Sequence, residues 1–169
     1  MPNTFTKIAS VTVGSGGSSS LDFTSIPQTY TDLCLKISTR DNAASVQNNI
    51  IFKINGVTTS QSLRYLLGNG SGPSSVSDTP IYFASNANNS TSNTFSNIEV
   101  YIPNYASTSV NKSVSVDSVS ENNATAAYAQ LTAGLYASNT AITSISITGN
   151  GGSSFLQYST ATLYGIKNS

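Results

Sequence analysis

The feature that most constrains this chain is a period-2 alternation of apolar and polar residues, recurring almost from end to end. The 3.6-residue period of an amphipathic helix is scarce by comparison. Leu33, Leu35 and Ile37 fall on one face of an extended segment, with Cys34, Lys36 and Ser38 on the other. Ile50, Phe52 and Ile54 repeat the pattern, as do Leu63, Tyr65 and Leu67, and Ile98, Val100 and Ile102 alternate with Glu99 and Tyr101. Further strands are predicted at 5–13, 81–85, 112–116, 145–148 and 155–166. Glycine, asparagine and proline clusters punctuate them: Gly14-Ser15-Gly16-Gly17, Asn69-Gly70-Ser71-Gly72-Pro73, Asn86-Ala87-Asn88-Asn89 and Gly149-Asn150-Gly151-Gly152. Strands at this spacing predict an all-β fold, a single jelly-roll-like β-sandwich over residues 1–169 with about eight to ten antiparallel strands. A domain of 169 residues buries roughly 70% of the surface its unfolded chain exposes, so no metal or disulfide staple is needed. No internal repeat or linker divides it.

The segment 122–137 is the ambiguous one. Leu131 and Leu135 sit four apart, as on a helix, yet Ala127, Ala129, Leu131, Ala133 and Leu135 also share strand parity, opposite Tyr128, Gln130, Thr132 and Tyr136. The stretch has no charged residue for a solvent-facing helix side, and Gly134 costs a helix about 1 kcal/mol relative to alanine. A strand is predicted. Val119 falls out of step with Val114 and Val116, and Ile142 with Ile145 and Ile147, which predicts a β-bulge or a strand end at each. The last strand is apolar on both sides: Leu156, Tyr158, Tyr164 and Ile166 on one, Phe155, Ala161 and Leu163 on the other. Two-sided burial, with few lysines to blunt sheet edges, predicts that copies of the chain cover one another.

Composition narrows the chemistry. Charged residues are 8% of the chain, against about 25% in ordinary soluble domains. Ser (31), Thr (20) and Asn (18) carry solubility instead. Seven basic residues balance seven acidic ones without a basic run, which argues against nucleic-acid binding. There is no histidine for a catalytic triad or a metal, and one cysteine, Cys34, allows no internal disulfide. No apolar run is long enough to cross a membrane, and Met1–Lys7 has no apolar signal region, so synthesis in a cytoplasm is expected.

Each candidate site has a plainer alternative. The loops 69–73 and 149–152 look like phosphate cradles but lack a following helix or lysine, and hairpin turns are expected. Among the carboxylates Asp22, Asp32, Asp41, Asp78, Glu99, Asp117 and Glu121, the last two bracket a predicted turn and could offer oxygens to a divalent cation with Asn122; turn capping is the expected role. Ser/Lys chemistry is conceivable, but most basic residues fall in predicted strands. Cys34, opposite the apolar face of its strand with Lys36 nearby, could make an acidic thiol, and a small neutral side chain in a sheet is expected. Tyr101, Tyr105, Tyr128 and Tyr136 could be half-exposed rings at a protein or sugar interface. The sequons at Asn69, Asn88, Asn89 and Asn123 read as composition. No catalytic residue, cofactor or metal site is expected.

Longer strings carry a resemblance. Phe23-Thr24-Ser25-Ile26-Pro27-Gln28-Thr29-Tyr30-Thr31-Asp32-Leu33, Ile98-Glu99-Val100-Tyr101-Ile102-Pro103-Asn104-Tyr105, Asn111-Lys112-Ser113-Val114-Ser115-Val116 and Gln157-Tyr158-Ser159-Thr160-Ala161-Thr162-Leu163-Tyr164-Gly165-Ile166 resemble small virion proteins of tailed bacteriophages, notably marine phages and cyanophages. The resemblance implies a non-enzymatic capsid decoration (cement) protein on the virion surface, a homotrimer whose partner is the major capsid protein. The alternative it leaves open is a tail-fibre or baseplate module recognising a host glycan or protein. It assigns no residue a catalytic or metal role. Loops 68–73 and 86–93 are the expected contact turns in either case.

Overall fold

The computed structural model describes residues 4–123 and 127–167. Among them are twelve strands: β1 (Phe5–Thr12), β2 (Ser20–Phe23), β3 (Asp32–Ser38), β4 (Gln47–Ile54), β5 (Gln61–Gly68), β6 (Pro73–Asp78), β7 (Tyr82–Asn86), β8 (Asn97–Ile102), β9 (Lys112–Val119), β10 (Ala129–Tyr136), β11 (Ile145–Gly149) and β12 (Thr160–Ile166). They form two antiparallel sheets, one of eight strands in the order β1-β12-β3-β8-β9-β10-β5-β6 and one of four in the order β2-β11-β4-β7. The all-β sandwich expected from the alternation is present. The strand count exceeds the expected eight to ten because β2 and β6 carry too little alternation to be read as strands. Segment 122–137 forms a strand over Ala129–Tyr136; residues 124–126, and with them Thr125 of the Asn123 sequon, lie outside the described residues.

The core lies between the sheets. Leu33, Leu35 and Ile37 of β3 pair in register with Ile102, Val100 and Ile98 of β8. These rows face Ile50, Phe52 and Ile54 of β4, all fully buried. Phe52 and Phe83 stack at a tilt, 5.9 Å between centroids. β2 lies against β1 and β12, and β7 against β9 and β10, so β5 and β6 overhang the narrower sheet. Every residue of β7 is buried, whereas five of six in β6 are exposed and Val76 is half-buried.

Two expectations are corrected. The terminal strand begins at Thr160, not at 155: Tyr158 has φ of 74°, a left-handed conformation that interrupts extension, and its ring is 68% exposed. Phe155 instead forms isolated bridges with Ser18 and Asp41. The strand is not buried on both sides: Ala161, Leu163 and Gly165 are buried on its inner face, whereas Thr160, Thr162 and Tyr164 on the outer face are half-buried. The strand end allowed for at Val119 is present, and Ile142 lies outside β11, in the loop before it, with its N–H on Tyr105 O, 2.9 Å away. The irregularity in register falls between Lys7 and Ala9 of β1.

Gly165 of β12 is required by packing. A Cβ built there would overlap the Tyr30 ring, which lies flat against the strand. Gly165→Ala is expected to cost about 1–3 kcal/mol through forced displacement of that ring. Urea unfolding of the variant checks this, and an unchanged midpoint would show that the ring yields freely.

Candidate functional site

β10 is turned inside out relative to its composition. Gln130, Thr132, Gly134 and Tyr136 face the interior, and Ala129, Leu131, Ala133 and Leu135 face solvent. The interior here is too close to Ile81 for a larger residue, because a Cβ on Gly134 would sit 2.8 Å from Ile81 Cδ1. Gln130 Nε2 donates to Thr132 Oγ1 at 2.9 Å, which offsets the cost of burying both polar groups. The apolar row therefore points outward. Leu131 lies opposite Leu66 of β5, and Ala129 opposite Val119 of β9. Leu66 is 61% exposed and Leu131 56%. Contiguous exposed apolar side chains on a sheet face mark interaction surfaces.

Around this patch the sheet forms a groove of about 800 Å³, running from Ser77 of β6 across Arg64, Leu131 and Ser115 to Tyr101 and Pro103. Two charges sit on opposite sides of β10: Arg64 opposite Ala133, and Asp117 opposite Leu131. Arg64 donates to the Ser77 hydroxyl. Leu66 was invisible to period-2 reading because it sits between Tyr65 and Leu67, which face inward; three apolar residues in a row are the only signal.

The expected site residues are scattered. Asp117 is an outward-facing residue inside β9, opposite Glu99, so it does not bracket a turn. Glu121 lies beyond the strand end and accepts the Asn123 N–H at 2.7 Å, which is the turn-capping role. Among the described residues no group of three or more Cys, Asp or Glu is placed to hold a metal ion. Cys34 is 1% exposed between its cross-strand neighbours Tyr101 and Tyr164, and burial pushes its thiol up despite Lys36. Lys36 is paired with Glu99. Of the four tyrosines, Tyr101 and Tyr128 are half-buried, while Tyr105 and Tyr136 are buried, so the expectation of exposed rings is corrected for these two. The Tyr105 hydroxyl donates to Pro27 O.

Loop 86–93 is closed from within. The Arg40 guanidinium, 7% exposed, makes six hydrogen bonds to Asn88, Ser90, Thr91 and Thr94, four of them to backbone carbonyls. Lys112 is fully buried and gives its ammonium to Ser107 O (2.6 Å), Val110 O (2.9 Å) and Ser138 O (3.4 Å). Its three N–H bonds all end on carbonyls, an arrangement that leaves none to activate a serine. Sequence reading missed both nests, because backbone acceptors leave no residue signature. Loop 69–72 is open: Asn69 Oδ1 accepts the N–H groups of Ser71 (3.0 Å) and Gly72 (3.2 Å), the hairpin turn expected there.

A second concavity, of about 300 Å³, is lined by amides and rings: Gln47, Asn48, Asn49 and Gln130 with Tyr65 and Tyr128. Tyr65 meets Tyr82 edge-on at 5.9 Å. Comparison with protein-family models, with curated proteins and with solved structures finds no match to the chain. The likeness to phage virion proteins accordingly rests on the sequence strings alone.

The rim of the groove carries a titratable bond. Tyr101 Oη donates to Asp32 Oδ2 at 2.6 Å, and that bond, more than burial, pushes the phenol up to about 12. A phenol raised in the folded state stabilises it below the ordinary value near 10 and loses that effect as pH climbs through the folded value. Wild type should exceed Tyr101→Phe by about 1 kcal/mol at pH 8, with the gap closed at pH 12. Chemical denaturation at both pH values reads this, and a gap constant with pH would refute the assigned donor.

Proposed function

We propose that this chain is a non-enzymatic virion structural protein, a capsid decoration protein that docks on the phage head shell as an oligomer. The observation that carries the reading is the outward apolar row of β10 with Leu66, a face that water covers poorly and a flat protein surface covers well. The strand orders support it. We read β1-β12-β3-β8 facing β2-β11-β4-β7 as jelly-roll winding, with the β5–β6 and β9–β10 hairpins added to one sheet. Capsid domains commonly use that winding. The near absence of surface charge fits many copies packed side by side without mutual repulsion. A decoration protein of this kind stabilises the shell by mass action, binding the assembled form.

The second reading, a tail-fibre or baseplate module that binds a neutral glycan, is favoured by the concavity of Gln47, Asn49, Gln130, Tyr65 and Tyr128. Planar amides donate and accept hydrogen bonds side by side, as sugar hydroxyls require, and tyrosine faces suit sugar C–H groups.

Location separates the readings. Virions are disrupted, heads and tails parted by sedimentation, and each probed for the chain. The decoration reading expects it in heads at high copy number, tails at low copy number would favour the adhesin, and absence from both would remove the virion reading. Leu131→Lys should abolish head binding while changing the stability of the free chain by less than about 0.5 kcal/mol, since the side chain is on the surface and the lysine lies opposite Asp117. Retained binding would move the docking face elsewhere.

A further inference from the structure

We propose that β6 pairs with β6 of a second copy, antiparallel about a two-fold axis at Val76, so that two chains form one continuous sheet. The four sheet edges differ in protection. β1 carries the register irregularity beside the exposed Lys7, two devices that discourage pairing. β2 has only four residues, and β7 is wholly buried. β6 has neither lysine nor bulge: it pairs in unbroken register with β5, and its other edge is bare. Every second residue of an edge strand turns its N–H and C=O away from its one neighbour, and those groups template another strand.

The strand's own sequence favours a copy of itself as occupant. With Val76 opposite Val76 of the second copy, Ser75 falls opposite Ser77, and Ser74 opposite Asp78. Each position meets one of like facing, the valines touch on the inner face, and hydroxyls meet hydroxyls or a carboxylate. Asp78 is the one charge on β6. Its Oδ1 accepts Thr79 N–H (2.8 Å) and its Oδ2 the Tyr82 hydroxyl (2.8 Å), and these bonds hold it ionised below the usual carboxylate range. Antiparallel pairing about Val76 keeps the two carboxylates about 14 Å apart along the strands, whereas parallel pairing would set them side by side. Pro73, which has no N–H to give, falls outside the paired stretch Ser74–Asp78.

The axis stands perpendicular to the sheet, so both outward β10 faces lie on the same side. Such an interface closes with two copies, in place of the three-fold oligomer expected from the resemblance. It needs only the purified chain, so its test and that of the virion reading fail separately.

The test is a cysteine pair across the axis. Val76→Cys should form an intermolecular disulfide on mild oxidation. Ser74→Cys should form at least about tenfold less, because its Cα atoms would lie beyond the roughly 7 Å limit for a disulfide. Cys34 is buried and does not compete. The unmodified chain should sediment at twice 17.6 kDa, and Ser75→Lys with Ser77→Lys, which set lysines opposite lysines, should weaken the dimer at least about tenfold. A monomeric or trimeric mass, or equal crosslinking at 74 and 76, would overturn the proposal.

Discussion

Eight strands against four is the constraint from which the rest follows. A four-stranded sheet cannot roof an eight-stranded one, so the chain has a shared dry interior only where β2, β11, β4 and β7 lie over the wide sheet. Beyond β7 the roof gives out. Strands under its rim bury polar residues that find partners, such as Gln130 and Thr132, and a glycine where Ile81 leaves no room. The inner side of β10 is filled by Gln130, Thr132, Gly134 and Tyr136 beneath Ile81, and its apolar side chains turn outward. The inversion of that strand is thus a consequence of sheet width, and the exposed face is built into the architecture.

The parts of the fold legible from sequence are those under the roof. β3, β4, β8 and β9 alternate because one face of each meets a core that excludes water, and selection on that face leaves a period in the chain. β6 has water on both sides, so its serines and single valine carry no such trace. β2 has room for only two inward residues, Leu21 and Phe23. In β10 the alternation was read correctly as strand and its sides reversed, because parity tells which residues share a face and nothing about which face is covered. Strand order was not legible: β12 joins β1 to β3 across most of the chain, through backbone bonds that any sequence can make.

The site was legible only in negative outline. No histidine, one cysteine and scattered carboxylates turned attention from chemistry to surfaces, but the surface itself was found by geometry. Leu66 and Leu131 are 65 positions apart in the chain (131 minus 66) and become neighbours only through the β5–β10 register. Cys34, weighed as an acidic thiol and expected to be a small neutral side chain, sits in an aromatic row with Tyr101 and Tyr164 on the same outer face. Its role there is to let those rings close over a small side chain.

The burial of Arg40 and Lys112 and the pairing of Lys36 with Glu99 have a consequence outside the protein. They leave few bare cations at the surface of a chain whose seven basic and seven acidic groups already sum to zero. A partner approaching this chain meets almost no long-range attraction or repulsion. Encounters then proceed at the unsteered rate of roughly 10⁵–10⁶ M⁻¹s⁻¹. Adding electrolyte has little left to screen, since at molar salt the Debye length of about 3 Å touches only charges in near contact. Adhesion that rests on apolar contact and strand pairing is therefore tolerant of brine, and gains from the salting-out of apolar surface.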